Sequence, residues 1–197
     1  MVMSKSIFAR TLNEVKSCEL CIKHLPHGVR PVVQIDPNAV ILIAGQAPGS
    51  KVHKTGIPFD DPSGDRLRLW MGVDKALFYD ATKIAILPMG FCYPGTGKSG
   101  DLPPRKECAE QWRSKLLELM PNIQLTLVIG QYAMHWHLPD TKKDSLTSTV
   151  KSWRSHWPNN LPLPHPSPRN NIWLKKNSWF EGEILPTLQN RIKTLVS

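Results

Sequence analysis

The stretch at positions 39–65, AVILIAGQAPGSKVHKTGIPFDDPSGD, constrains the chain more than any other. Residues 39–44 form a short β-branched apolar run bounded by turn residues. Such a run predicts a strand buried on both faces of a parallel sheet, because a half-exposed strand would alternate apolar with polar side chains. It is expected to be the central strand. Gly45-Gln46-Ala47-Pro48-Gly49 follows at once and forces a tight turn at the strand's carboxyl end, where open α/β sheets place their ligands. A site is therefore expected to begin at Gln46. Six residues on, Gly56-Ile57-Pro58-Phe59 supplies a rigid turn and one aromatic ring, and Asp60, Asp61 and Asp65 come next. Phe59 could stack on a flat ligand or be an ordinary core residue. The three aspartates could serve a site or simply cap the next helix.

Elsewhere, Phe8, Leu12 and Val15 recur at helical spacing and predict an amphipathic N-terminal helix. Residues 32–35 predict an edge strand ending at the turn Asp36-Pro37-Asn38. Leu67, Trp70 and Met71 predict a helix from Asp65 onward, capped by Ser63, with its positive end toward the site. Residues 82–87, 125–129 and 161–164 read as three more strands, and helices are expected over 104–120, from Gly130 onward, and at the C-terminus on Leu185, Leu188, Ile192 and Leu195. The order predicts an α/β fold: a parallel sheet of four strands or slightly more with helices on both faces, in one domain over residues 1–197.

Composition narrows the function classes. The formal charge is +9, from 25 Lys and Arg against 16 Asp and Glu, which suits a polyanionic partner. No apolar run approaches the roughly 18 residues that span a membrane, and the first residues do not read as a signal peptide, so a cytoplasmic, monomeric protein is expected. In that setting paired cysteines serve more often as metal ligands than as disulfides. Cys18 and Cys21 are separated by two residues, and Cys92 and Cys108 by fifteen. Four thiolates suit a tetrahedral zinc site and an iron–sulfur cluster equally; four free thiols are the third possibility. Gly95-Thr96-Gly97-Lys98-Ser99 resembles a phosphate-binding loop, but Cys92 stands where that pattern requires a glycine and Pro103-Pro104 interrupt the required helix, so no nucleotide cofactor is expected. Lys98 and Ser99 remain candidate contacts for the phosphates of a polyanionic partner, or part of a solvated loop. Trp136, Trp153, Trp157, Trp173 and Trp179 crowd the last third and are expected mainly in the core. His135 and His137, two apart on a helix, point in different directions and do not make a metal pair.

The spacing G-x-x-P-G, six residues, G-x-P-F resembles the first motif of the uracil-DNA glycosylase superfamily, and His165-Pro166-Ser167-Pro168-Arg169-Asn170 resembles its second, most closely that of the single-strand-selective branch. The four cysteines are similar in number and spacing to those of the iron–sulfur, thermophile-type branch. The resemblance implies a three-layer sandwich with a central parallel four-stranded sheet flanked by helices. It also implies a partner, DNA, and a reaction, hydrolysis of the N-glycosidic bond to uracil or another deaminated base. Phe59 would stack on the flipped base, Ala47 and Gln46 would meet its carbonyls through their amides, and His165 would donate to the carbonyl that becomes anionic. Arg169 and Asn170 would grip the duplex, and Cys18, Cys21, Cys92 and Cys108 would hold a [4Fe-4S] cluster, with Zn as the alternative. Two departures stand out. The positions where related branches carry a water-activating Asp or Glu hold Ala47 and Gln46, which makes Asp61 the substitute candidate. No Asn occurs from Ala85 to Cys92, where the thermophile branch reads uracil. A catalytically silent nucleic-acid-binding protein of the same superfamily is the alternative reading.

Overall fold

The computed structural model describes residues 2–98 and 100–197, with side chains from residue 6 onward. Its elements in chain order are α1 (Val2–Lys16), β1 (Ile41–Ala44), α2 (Ser50–Thr55), α3 (Pro62–Met71), α4 (Lys75–Phe78), β2 (Ile84–Ile86), β3 (Thr96–Gly97), β4 (Gly100–Asp101), α5 (Lys106–Glu118), β5 (Leu125–Ile129), α6 (Gly130–His137), α7 (Leu146–Lys151), β6 (Asn160–Leu163), α8 (Asn171–Lys176) and α9 (Leu185–Val196). The main sheet has the order β2-β1-β5-β6, all parallel. Ile41 lies between Ile84 and Leu125, and Leu127 pairs with Leu161. Interior β1 is therefore the central strand its composition predicts.

Alternation along the strands divides the core between two faces. Ile41 and Ile43 join Ile84, Ile86, Leu125 and Leu127 in a cluster with Leu67 and Trp70 of α3 and Leu188 and Ile192 of α9. Leu42, Ala85 and Leu87 point the other way, onto Val15 of α1 and Trp112 and Leu116 of α5. Helices thus cover both faces, which makes the three-layer α/β sandwich. Trp153 is buried, and Trp157, Trp173 and Trp179 pack against the first cluster; only Trp136 of the five is substantially exposed. Pro162 falls in β6, an edge strand, where a missing N–H is tolerated.

Several local expectations need correction. Residues 32–35 do not form a strand of the sheet; Gln34 makes an isolated antiparallel bridge to Ile86, because Pro31 and Pro37 leave a segment too short to sustain a ladder. The helix expected from Asp65 begins at Pro62, and Asp61, not Ser63, is its cap: the carboxylate accepts from the Gly64 N–H at 2.9 Å. The helix expected from Pro104 begins at Lys106. The glycine-rich segment 95–100 forms the small antiparallel hairpin β3–β4, whereas a phosphate-binding loop would enter a helix. Ser99 lies outside the described residues, and Lys98 is exposed in the hairpin turn.

Candidate active site

A cavity of about 440 Å³ opens at the carboxyl end of β1. Three segments distant in sequence enclose it: the turn of Gly45 to Gly49 with Phe59 and Asp61 behind it, Gly100 and Asp101 of the β3–β4 hairpin, and His165, Ser167, Arg169 and Asn170 after β6. The residues expected from sequence to act on a base, Gln46, Ala47, Phe59, Asp61, His165, Arg169 and Asn170, all line it. Pro88, where an Asn would read uracil, lines it as well. Met89 N–H donates to Gly45 O at 2.8 Å and Gly90 N–H to Gln46 O at 2.9 Å, so the loop after β2 is stitched to the turn after β1.

Phe59 is held from several sides. Its ring packs edge-on to Phe78 at 6.3 Å, and its Cζ would lie 3.5 Å from a Cβ placed on Gly45. The Tyr79 hydroxyl donates to Pro58 O at 3.0 Å. The Phe59 backbone has φ 55°, a left-handed conformation that costs a bulky side chain about 1–3 kcal/mol and persists only where the surroundings enforce it. Gly64 makes this arrangement possible: any Cβ there would overlap the Phe59 carbonyl, so the start of α3 accepts no side chain at that position.

His165 is oriented by its own loop. Its Nδ1 accepts from the Ser167 N–H at 3.2 Å, so a neutral ring carries its proton on Nε2 and can donate from there. Burial lowers the imidazole below its ordinary value, more than the nearby Asp61 and Asp101 carboxylates raise it; the ring is neutral at pH 7. Asn170 donates from Nδ2 to His165 O at 2.7 Å, which commits its amide nitrogen to the loop. Arg66, which sequence reading passed over, ties the loop to α3 by donating to Ser167 O at 3.1 Å and to Asn171 Oδ1 at 2.8 Å. The Arg169 guanidinium lies where a Cβ on Gly100 would sit, so the loop also meets the hairpin.

Gln46 does not reach across the cavity as a general base would. Its Nε2 donates to Leu102 O at 3.3 Å, bracing the chain just after Asp101. Asp101 was another omission; Lys98-Ser99, between Gly97 and Gly100, is not a recognised hairpin dipeptide, so no local signal placed it.

Cys18, Cys21, Cys92 and Cys108 line one small apolar cavity on the opposite face, with Val15, Leu25 and Phe91. All four are free thiols. Among the described residues no group of three or more His, Cys, Asp and Glu side chains stands in an arrangement that would hold a metal ion, so ligation requires the thiols to draw together. The chemistry around them nonetheless fits a four-thiolate group. Trp112 Nε1 donates to Cys18 Sγ at 3.2 Å and Phe91 N–H to Cys108 Sγ at 3.4 Å, as donors do to cluster sulfurs. Burial pushes the Cys92 thiol up to about 11 and that of Cys108 up to about 12, so a bound cation would be needed to hold them as thiolates at neutral pH. Fully buried Arg113 supplies the complementary sign. It donates to Leu87 O and Pro88 O, both at 2.9 Å, and meets His137 Nε2 at 2.6 Å. Its Nε has no hydrogen-bond partner, and Cys108 is the titratable group near enough to favour its charge if ionised.

Among solved structures, a candidate uracil DNA glycosylase from Methanosarcina acetivorans, determined by NMR in solution, is similar at 18% identity and a TM-score of 0.47, over 81% of this chain and 94% of that chain. The sequence profile of the uracil DNA glycosylase superfamily matches residues 32–189. That span takes in β1, both loops of the cavity and most of α9, and the chain therefore belongs to the uracil DNA glycosylase superfamily.

Proposed function

We propose that this protein is a DNA glycosylase that hydrolyses the N-glycosidic bond to uracil or another deaminated base. The observation that carries the reading is the pairing, within one cavity, of a clamped aromatic ring, Phe59, with a neutral imidazole, His165, whose acceptor nitrogen is already satisfied. The base would be flipped out of the helix to stack on Phe59. As the bond to C1′ breaks, its electron pair goes onto the base, and the His165 Nε2–H donates to the carbonyl oxygen where that charge gathers. A donor already in place is worth far more in a water-poor site than in solution. Gln46 and Ala47 present backbone groups to the base edge, and Arg169 suits the phosphates. The attacking water is supplied by solvent and gives its proton to one of two carboxylates lining the cavity, Asp61 or Asp101. With Pro88 in place of an amide, selectivity for uracil itself is not built into that loop.

The four cysteines would hold a [4Fe-4S] cluster, or Zn as the alternative. When bound, such a group supplies structure, tying the N-terminal segment to the loop after β2 and to α5. Purified protein incubated with oligonucleotides carrying one uracil, hypoxanthine or xanthine, then treated with alkali, tests the activity. Cleavage at one of these lesions is the expected result. Binding to the same strands without cleavage would favour the silent, nucleic-acid-binding reading.

A further inference from the structure

We propose that Asp101 is the catalytic carboxylate that activates the attacking water, replacing in space the acid missing from the turn after β1. The inference rests on the glycosylase reading and names a residue for it.

Four observations converge on Asp101. It lines the same cavity as Phe59 and His165, and its charge is close enough to act on the imidazole. Its carboxylate approaches the turn where the acid is absent: Oδ2 lies 3.5 Å from a Cβ placed on Gly49. Gln46, at the vacated position, turns its amide away to Leu102 O and thereby fixes the residue that follows Asp101. Finally, the Tyr93 hydroxyl reaches Oδ1 at 3.4 Å, which orients the carboxylate and leaves Oδ2 for a water. Tyr93 is itself buried and stacked on His27, so its hydroxyl is a fixed reference point.

Asp61 is the competing carboxylate, and its geometry argues for another role. Its Oδ1 caps α3 through Gly64 N–H, and that cap holds the turn that clamps Phe59. In the proposed step the C1′–N bond breaks with its electron pair leaving on the base, the water oxygen forms the new C1′–O bond, and the water proton passes to Asp101. The departing base is neutralised from solvent. No other reactant is needed.

The test compares single-turnover excision by wild type, Asp101→Asn, Asp101→Glu and Asp61→Asn on the best lesion substrate, alongside affinity for an abasic product strand. Asp101→Asn is expected to slow excision about 10²–10⁴-fold, the usual contribution of a general base, with product affinity unchanged. Asp101→Glu should recover part of the rate, and Asp61→Asn should lose less, since asparagine caps a helix nearly as well. Equal losses at both positions, a larger loss at Asp61, or an unaffected Asp101→Asn would each overturn the assignment while leaving the glycosylase reading intact. A wild-type protein that excises no lesion would overturn the glycosylase reading and this inference with it.

Discussion

His165 and Phe59 carry the chemistry proposed for the cavity. If the Nε2–H of His165 meets the developing charge, His165→Ala should lower the single-turnover excision rate about 10²–10³-fold, as loss of one preorganised donor does, with little change in DNA affinity. Phe59→Ala removes a stacking surface worth about 1–3 kcal/mol per base. Its signature should be weaker binding of the flipped lesion, by roughly 5- to 150-fold, measured by titrating lesion-containing against undamaged strands. Equal affinity for both strands in wild type and variant would show that Phe59 belongs to the core alone. Both residues were legible in the sequence because each sits in a short motif with fixed spacing. Asp101 and Arg66 were not, because their importance comes from which loops meet across the cavity, and no local spacing encodes that meeting.

Elements set the positions of these residues. The Phe59 carbonyl packs against the start of α3 only because residue 64 is glycine, since a Cβ there would overlap it. Gly64→Ala should therefore destabilise the protein by about 1–3 kcal/mol, seen as a fall in Tm of roughly 2–4 °C per kcal/mol for a chain of this size, and should reduce lesion binding together with stability. Farther in, α5 and α6 bring Arg113 and His137 together. Burial, and then the Arg113 charge, lower the His137 imidazole to about 3. Between the ordinary imidazole value, about 6.5, and that figure, the unfolded chain binds a proton that the folded chain refuses. Stability is thus complete above that window and falls as pH drops through it, at up to about 1.4 kcal/mol per pH unit for this group. Urea melts at pH 7 and pH 5 should show the decline, and His137→Gln should make it shallower; an unchanged slope would place the linkage elsewhere. The apolar runs fixed the interior strands well, 125–129 to the residue, because burial on both faces leaves a strong composition signal. The short helices α2, α4, α7 and α8 went unseen, since four to six residues carry too little periodicity to register.

Charge and cysteines together say what the chain as a whole should bind. A net charge of +9 with Arg169 at the cavity predicts DNA binding that weakens steeply with salt, since each neutralised phosphate releases a counterion. The four cysteines lining one small cavity predict a protein that, purified without oxygen, carries iron and sulfide or one zinc ion per chain, and that melts at lower temperature after chelation. Metal-free protein with an unaltered Tm would leave the thiols as plain core residues. Both superfamily motifs meet at the cavity at the end of the central strand, where the proposed reaction would remove a base from DNA. The most direct measurement is single-turnover excision of uracil, hypoxanthine and xanthine from labelled strands by wild type and by the double variant His165→Ala, Phe59→Ala. Excision of at least one base by the folded, metal-loaded wild type, abolished in the double variant, is the predicted result; excision that survived the loss of both residues would contradict the site described for this fold.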